Sequence, residues 1–184
     1  FLAITHGVSA VGKSHVAMRL VEALGAIRIR SDVERKRLFG EQKGGSQDEL
    51  NTGIYSQDAS SATYQHLHQL AGEVLQAGQP VVLDATYLMR EQRQAAWQVA
   101  ENTGTPFLIL DCHAPDEVIS SWLAQRQAEN QDPSDASMAV IAAQQAKREP
   151  LNEDEQAHSK RVDTHDSASL DSLVERIRQR LPGL

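Results

Sequence analysis

Residues 7–14 read Gly7-Val8-Ser9-Ala10-Val11-Gly12-Lys13-Ser14, a complete Walker A pattern, whose chemistry is the capture of a nucleoside triphosphate. Gly7 and Gly12 open backbone angles closed to other residues, so successive N–H groups can turn inward around a phosphate. Lys13 is the cation for the β- and γ-phosphates, and the Ser14 hydroxyl is an oxygen ligand for Mg²⁺. A helix that starts here, with His15 in its first turn, adds the partial positive charge of its N-terminus. A chance glycine-rich turn would lack the flanking elements, and both are present. Leu2-Ala3-Ile4 with Thr5 and His6 reads as a buried strand before the loop, and Val16, Ala17, Leu20, Val21 and Leu24 form an apolar helical stripe after it.

Transfer of the bound phosphate needs an oriented nucleophile and further cations. Asp32 follows the second strand, with Arg35 one helical turn on. The carboxylate is placed to take a proton from an acceptor hydroxyl, and the arginine to hold an anionic substrate group. Without the Walker A loop the pair would read as a helix-start aspartate and a surface arginine. Val81-Val82-Leu83-Asp84-Ala85-Thr86 is a hydrophobic strand ending in a carboxylate, of the Walker B type. Asp84 is a candidate to hold a Mg²⁺-bound water or to orient the acceptor. Arg126 stands at a helix end before a polar stretch, where a lid over residues 126–136 would bring it to the transferring phosphate. Lys147, Arg148 and Arg90 are weaker cation candidates. The histidines form no metal-binding pattern: His66 and His68 diverge on a helix. Trp97 and Trp122 read as packing residues, and Glu153-Asp154-Glu155 as a solvated loop.

The elements that must position these groups alternate between apolar runs and helical patterns, which predicts a parallel α/β sheet. Strands are expected at Ala26–Arg30, Pro80–Asp84 and Pro106–Asp111, with a faint fifth at Lys160–Thr164. Ser31 is expected to cap a helix over Asp32–Phe39, with Glu34 completing a capping box. Gly40–Gly53 is expected to be a mobile loop. Further helices are expected over Tyr55–Ala77, Arg90–Thr103 (closed by Gly104), Pro115 to about Arg126, Ala136–Arg148, and a closing one carrying Leu170, Leu173, Val174, Ile177 and Leu181. His6, Asp32, Asp84 and Asp111 all fall at carboxyl ends of strands, where ligands gather in such sheets.

At 184 residues the chain reads as a single domain over 1–184, with 40% hydrophobic and 23% charged residues, ordinary for a globular protein. No apolar stretch approaches the roughly 20 residues of a membrane span, and no signal peptide is visible. Cys112, without a partner cysteine, fits a reducing, cytoplasmic setting and reads as a small apolar residue. A net charge of −7 and 4% aromatic content argue against nucleic acid as partner. The chain opens at Phe1 inside its first strand, which predicts a piece of a longer polypeptide.

Taken together, the Walker A loop, Asp32-x-x-Arg35, Asp84-Ala85-Thr86 and a later arginine resemble the P-loop kinases grouped with zeta toxins, phage polynucleotide kinase and chloramphenicol phosphotransferase. Ile29-Arg30-Ser31-Asp32-Val33-Glu34-Arg35-Lys36-Arg37-Leu38, Val82-Leu83-Asp84-Ala85-Thr86-Tyr87 and Lys147-Arg148-Glu149-Pro150-Leu151 are similar to the bacterial predicted-kinase ATPase domain. That domain is often fused behind an aminoglycoside-phosphotransferase-like domain. The resemblance implies a three-layer, doubly wound P-loop kinase fold with strand order 2-3-1-4-5 and ATP and Mg²⁺ as cofactors. It implies transfer of the γ-phosphate to a hydroxyl of a small-molecule acceptor. Asp32 then matches the acceptor-activating carboxylate, Arg35 the acceptor-phosphate contact and Arg126 the lid arginine. Two other readings stay open, a polynucleotide or nucleotide-type kinase and a regulatory ATPase module of a fused protein. Ala10 and Val11 depart from the Gly or Ser that such loops often carry before Gly-Lys.

Overall fold

The computed structural model describes residues 1–40, 55–129 and 138–180, without the side chains of 126–129 and 180. Its centre is a five-stranded parallel sheet of β1 (Leu2–His6), β2 (Ile27–Arg30), β3 (Val81–Asp84), β4 (Phe107–His113) and β5 (Ser159–Asp163), in the order β2-β3-β1-β4-β5. The expected class and strand order are therefore those observed. β1 and β3 are buried along their whole length, which is why they read as unbroken apolar runs.

Alternation along each strand builds two cores. Ala3, Val82, Leu110, Cys112 and Val162 face α1 (Lys13–Leu24) and α8 (Ser167–Arg180), with Ile119 of α5 (Asp116–Glu129) and Ile141 of α6 (Met138–Lys147) joining them. Leu2, Ile4, Val81, Leu83, Phe107 and Ile109 face α3 (Gln57–Gln76) and α4 (Arg90–Thr103). Trp97 stacks on Phe107, with ring centroids 5.7 Å apart. Cys112 is buried, and burial pushes its thiol up to about 12, the behaviour of an inert packing residue.

Several local expectations are corrected. Ser31 is not a cap: the chain turns at Arg30, the end of β2, so Ser31 is already the first residue of α2 (Ser31–Phe39). No side chain caps this helix from Arg30, and the capping box with Glu34 is not made. Glu34 is buried and pairs with Arg37 and His66 instead. α5 continues past Arg126 to Glu129, because the alanine-bearing segment after Arg126 carries no helix breaker. β4 runs two residues beyond Asp111, following its pairing with the full length of β5. The Gly40–Gly53 loop, apart from Gly40, and most of the 126–136 lid lie outside the described residues, as does Leu181.

The largest correction is the acidic run. Glu153-Asp154-Glu155 is the start of a short helix, α7 (Glu153–Ala157), with Asn152 and Glu155 forming a reciprocal capping box. Glu155 is only 2% exposed and meets Arg93 of α4, which is fully buried. Arg93 Nε and a terminal nitrogen donate to the two carboxylate oxygens at 2.7 and 3.0 Å. The other guanidinium donors reach the carbonyls of Tyr87, Leu88, Glu149 and Pro150 at 2.9–3.4 Å. One side chain thus ties together the loop after β3, the loop after α6, and α7. Burial pushes the Glu155 carboxyl up, but the Arg93 bonds, the Asn152 N–H and the charges of Arg93 and Arg90 outweigh it and leave it below its ordinary value.

Arg93→Met should therefore strand a buried carboxylate and cost about 3–5 kcal/mol, read as a lower urea midpoint at pH 7. Adding Glu155→Leu should recover part of that loss, since both charges are then gone. In the unmodified chain the depressed Glu155 contributes stability that is present above pH 4.5 and fades as pH falls through its lowered folded value. A loss under about 1 kcal/mol in Arg93→Met would contradict this role.

Candidate functional site

The loop from β1 to α1 is held by contacts that fix its backbone. Gly7, at φ +144°, donates its N–H to the Thr86 carbonyl at 3.0 Å, and Thr5 Oγ1 donates to the Ala85 carbonyl at 2.7 Å. The end of β1 is thereby bound to the end of β3. Ala10 sits at φ +62° and Gly12 at φ +87°, so the loop makes two left-handed turns, one of them at a residue with a side chain. A Cβ on Gly12 would lie 2.8 Å from Thr164 and 3.2 Å from Trp122. Only glycine fits there. Thr164, just after β5, reaches the Val11 carbonyl through Oγ1 at 2.7 Å and clamps the loop from the far side. His15 is exposed in the first turn of α1, while Val8 and Val11 are buried. Lys13 Nζ donates to the Val8 carbonyl at 2.6 Å. The Ser9 N–H donates to Gln144 Oε1 at 2.6 Å, and Gln144 Nε2 donates to Ser9 Oγ at 3.0 Å.

At the head of α1, Ser14 Oγ donates to Asp84 Oδ2 at 2.8 Å. Residues separated by seventy positions meet because β3 lies beside β1. Arg28 donates to the same carboxylate oxygen through Nε at 3.0 Å and through a terminal nitrogen. A hydroxyl and a carboxylate converging at the phosphate loop are the hard oxygen donors that Mg²⁺ takes, the rest of its shell being phosphate and water. The residues therefore fit the ion, with Arg28 as the cation that balances Asp84 here. Among the described residues no group of three or more His, Cys, Asp or Glu forms an all-protein metal cage, and this one-carboxylate arrangement does not require one.

Beside it, Asp32 accepts from Arg30 at 2.7 Å and from the Val33 N–H at 2.9 Å, which fixes both carboxylate oxygens. Arg35 lies over the Tyr55 ring, 5.4 Å from its centroid. Burial lowers its guanidinium from the ordinary value, while Tyr64, Tyr55 and Asp32 act the other way, so Asp32 and Arg35 are close enough to feel one another. On the other side of β1, the fully buried His6 bonds through Nδ1 to the Tyr87 carbonyl at 2.9 Å. Its Nε2 accepts from Arg148 Nε at 3.1 Å. Arg148 also donates to Asp111 at 2.9 Å, and Asp111 bonds His113 at 2.8 Å. With both ring nitrogens so used, His6 is the neutral Nδ1–H tautomer.

Of the residues singled out in the sequence, Ser14 and Asp84 are in direct contact, Lys13 lies along the loop, and Asp32 with Arg35 forms the next cluster. The Arg126 side chain lies outside the described residues. His66 and His68 do diverge: His66 faces Glu34, and His68 bonds the Tyr87 hydroxyl at 3.2 Å. Trp122 is partly buried against Gly12, nearer the phosphate loop than a core residue. Gln144, Thr164, Arg28 and the His6–Arg148 link are additions. The signal for two of them was present, since Arg148 belongs to the Lys147-Arg148-Glu149-Pro150-Leu151 motif and Gln144 stands four residues before it.

Residues 2–151 match the sequence model of a family described as the AAA domain. Uncharacterized proteins of Mycobacterium tuberculosis and Mycobacterium bovis are 31% identical over 148 residues, covering 79% of this chain and 29% of theirs. The chain thus spans under a third of the length of these relatives. Among solved structures, Chaetomium thermophilum Kti12 in complex with ADP-AlF3 superposes with a TM-score of 0.75 at 17% identity, over 100% of both chains. A gluconokinase from Sinorhizobium meliloti superposes with a TM-score of 0.62 at 20% identity, over 97% of this chain and 95% of its own.

The His6 geometry sets a pH dependence. Burial, then the charge of Arg148, holds the folded imidazole down to about 4 despite the Tyr87 carbonyl and Asp111, and burial holds His68 to about 4 as well. Between pH 6.5 and 4 the unfolded chain takes up protons that the folded chain refuses, so stability rises with pH across that window. Urea midpoints should drop from pH 7 to pH 4.5, and His6→Asn should flatten part of the slope and leave the share of His68. An identical slope in that variant would contradict the assignment.

Proposed function

Since the chain belongs to the AAA domain family and has a P-loop kinase-like fold, we propose that it is an ATP-dependent phosphotransferase acting on a hydroxyl of a small-molecule acceptor. The observation that carries this reading is the meeting of Ser14 with Asp84 at the head of α1, with the Asp32–Arg35 cluster beside it. A site that only bound nucleotide would have no use for a second carboxylate and arginine next to its phosphate end.

In this reading the loop N–H groups and Lys13 hold the triphosphate of ATP. Ser14 and Asp84 would hold Mg²⁺, which when bound neutralises charge across the phosphates. Arg35 positions the acceptor. Asp32 takes the proton of its hydroxyl as the oxygen forms a bond to the γ-phosphorus. The bond from that phosphorus to the β–γ bridging oxygen breaks, and ADP leaves. Arg126 is proposed to approach the transferring group from α5. The acidic balance of the chain, −7, disfavours a polynucleotide acceptor.

The test is ADP release with Mg²⁺ across a panel of hydroxyl-bearing metabolites, aminoglycosides and 5′-hydroxyl oligonucleotides. One acceptor should raise turnover well above basal hydrolysis. Lys13→Ala should lower that turnover by at least about a hundredfold. Asp32→Asn should remove the acceptor-dependent rise while ATP affinity stays within about threefold, since Asp32 is held by Arg30 and the Val33 N–H at the head of α2. Full activity in Lys13→Ala would end the kinase reading. ATP binding that no acceptor accelerates would favour the regulatory ATPase instead.

A further inference from the structure

We infer that Arg28 frees nucleotide binding from dependence on the metal, by cancelling the charge of Asp84 beside the phosphate loop; this rests on the nucleotide-binding reading of the Walker A loop. Asp84 and a bound nucleotide carry charge of the same sign. Ser14, the second residue of α1, donates to Asp84 Oδ2 at 2.8 Å, so the carboxylate stands one hydrogen bond from the loop. Its side chain is only 5% exposed, and like charges repel strongly where water is scarce. Phosphates gathered at the loop would meet that repulsion. A divalent metal is one way to remove it. Arg28 is a second, and it belongs to the chain.

β2 places it. Arg28 and Arg30 are two residues apart on the strand and so lie on one face of the sheet, in register with Val82 and Asp84 of β3. Arg28 donates to Asp84 Oδ2 through Nε at 3.0 Å and through a terminal nitrogen, while Arg30 donates to Asp32 at 2.7 Å. Each carboxylate on this side of the loop therefore has its own guanidinium. The Arg28 side chain is 15% exposed, so salt and solvent screen its pairing with Asp84 little. The bonds from Ser14 and Arg28 all fall on Oδ2, which leaves Oδ1 outside them. The arginine thus cancels the charge of Asp84 without using its second oxygen. The metal then serves the transfer step, and capture of the nucleotide does not wait for it.

The experiment is calorimetric titration of ADP, in Mg²⁺ and again in EDTA, into the unmodified chain, Arg28→Gln, Arg28→Lys and Arg28→Gln with Asp84→Asn. In the unmodified chain the two affinities should agree within about tenfold. Arg28→Gln keeps a donor and loses the charge, so it should bind at least about tenfold more weakly in EDTA and within about threefold of the unmodified chain in Mg²⁺. Arg28→Lys keeps the charge and should hold the affinity in EDTA within about threefold. Adding Asp84→Asn to Arg28→Gln should restore binding in EDTA, because the repelling carboxylate is gone. An equal loss in both buffers for Arg28→Gln, or a loss in EDTA that Asp84→Asn does not restore, would overturn the inference while leaving nucleotide binding standing. A gain from Mg²⁺ above about tenfold in the unmodified chain would do the same without calling on any variant to fold. No ADP binding to the unmodified chain in either buffer would overturn both.

Discussion

A parallel sheet collects the carboxyl ends of its strands at one edge, and in the order β2-β3-β1-β4-β5 the strand at the middle is the one that leads into the phosphate loop. Everything chemical in this protein depends on that placement. β3 on one flank delivers Asp84 to Ser14, and β4 on the other delivers Asp111 toward His6. β5 brings Thr164 under Val11. Because β1 is buried along its length, its end cannot drift to meet partners, and the partners must come to it.

This arrangement also divides the labour between two sides of the loop. Toward β2 and β3 lie the groups suited to reaction, Ser14, Asp84, Asp32 and Arg35. Toward β4 and α6 lie groups that hold the backbone, His6, Arg148 and Gln144. The holding side is built around a buried, uncharged histidine whose neighbouring guanidinium, Arg148, is neutralised by Asp111. Arg93 stands behind it: by grasping the Glu149 and Pro150 carbonyls it fixes the segment just after Arg148.

Much of the fold was legible in the sequence because buried parallel strands read as apolar runs and the Walker A loop specifies its own strand and helix. The strand order was what the resemblance to P-loop kinases implied, and Ser14 and Asp84, each read as a candidate on the Mg²⁺ side, are brought together by it. The missed features share a cause, which is that their partners are remote. Glu155 looks solvated within an acidic run, and only Arg93, sixty-two residues earlier, makes burial tolerable. Gln144 is an unremarked glutamine on a half-exposed helix until Ser9, 135 residues away, is placed beside it. Ser31 misled for a local reason: it has the chemistry of a cap, but the turn comes one residue earlier at Arg30.

The packing of Trp122 on Gly12 has an optical consequence. An indole in van der Waals range of the loop reports on solvent and charge there through the energy of its emission. The other tryptophan, Trp97, is stacked on Phe107 and edge-on to His158 in the α4 layer, away from the loop. The molecule thus carries one fluorophore at the place where a ligand would change the environment and a second as an internal standard, so occupancy can be followed on the unlabelled chain.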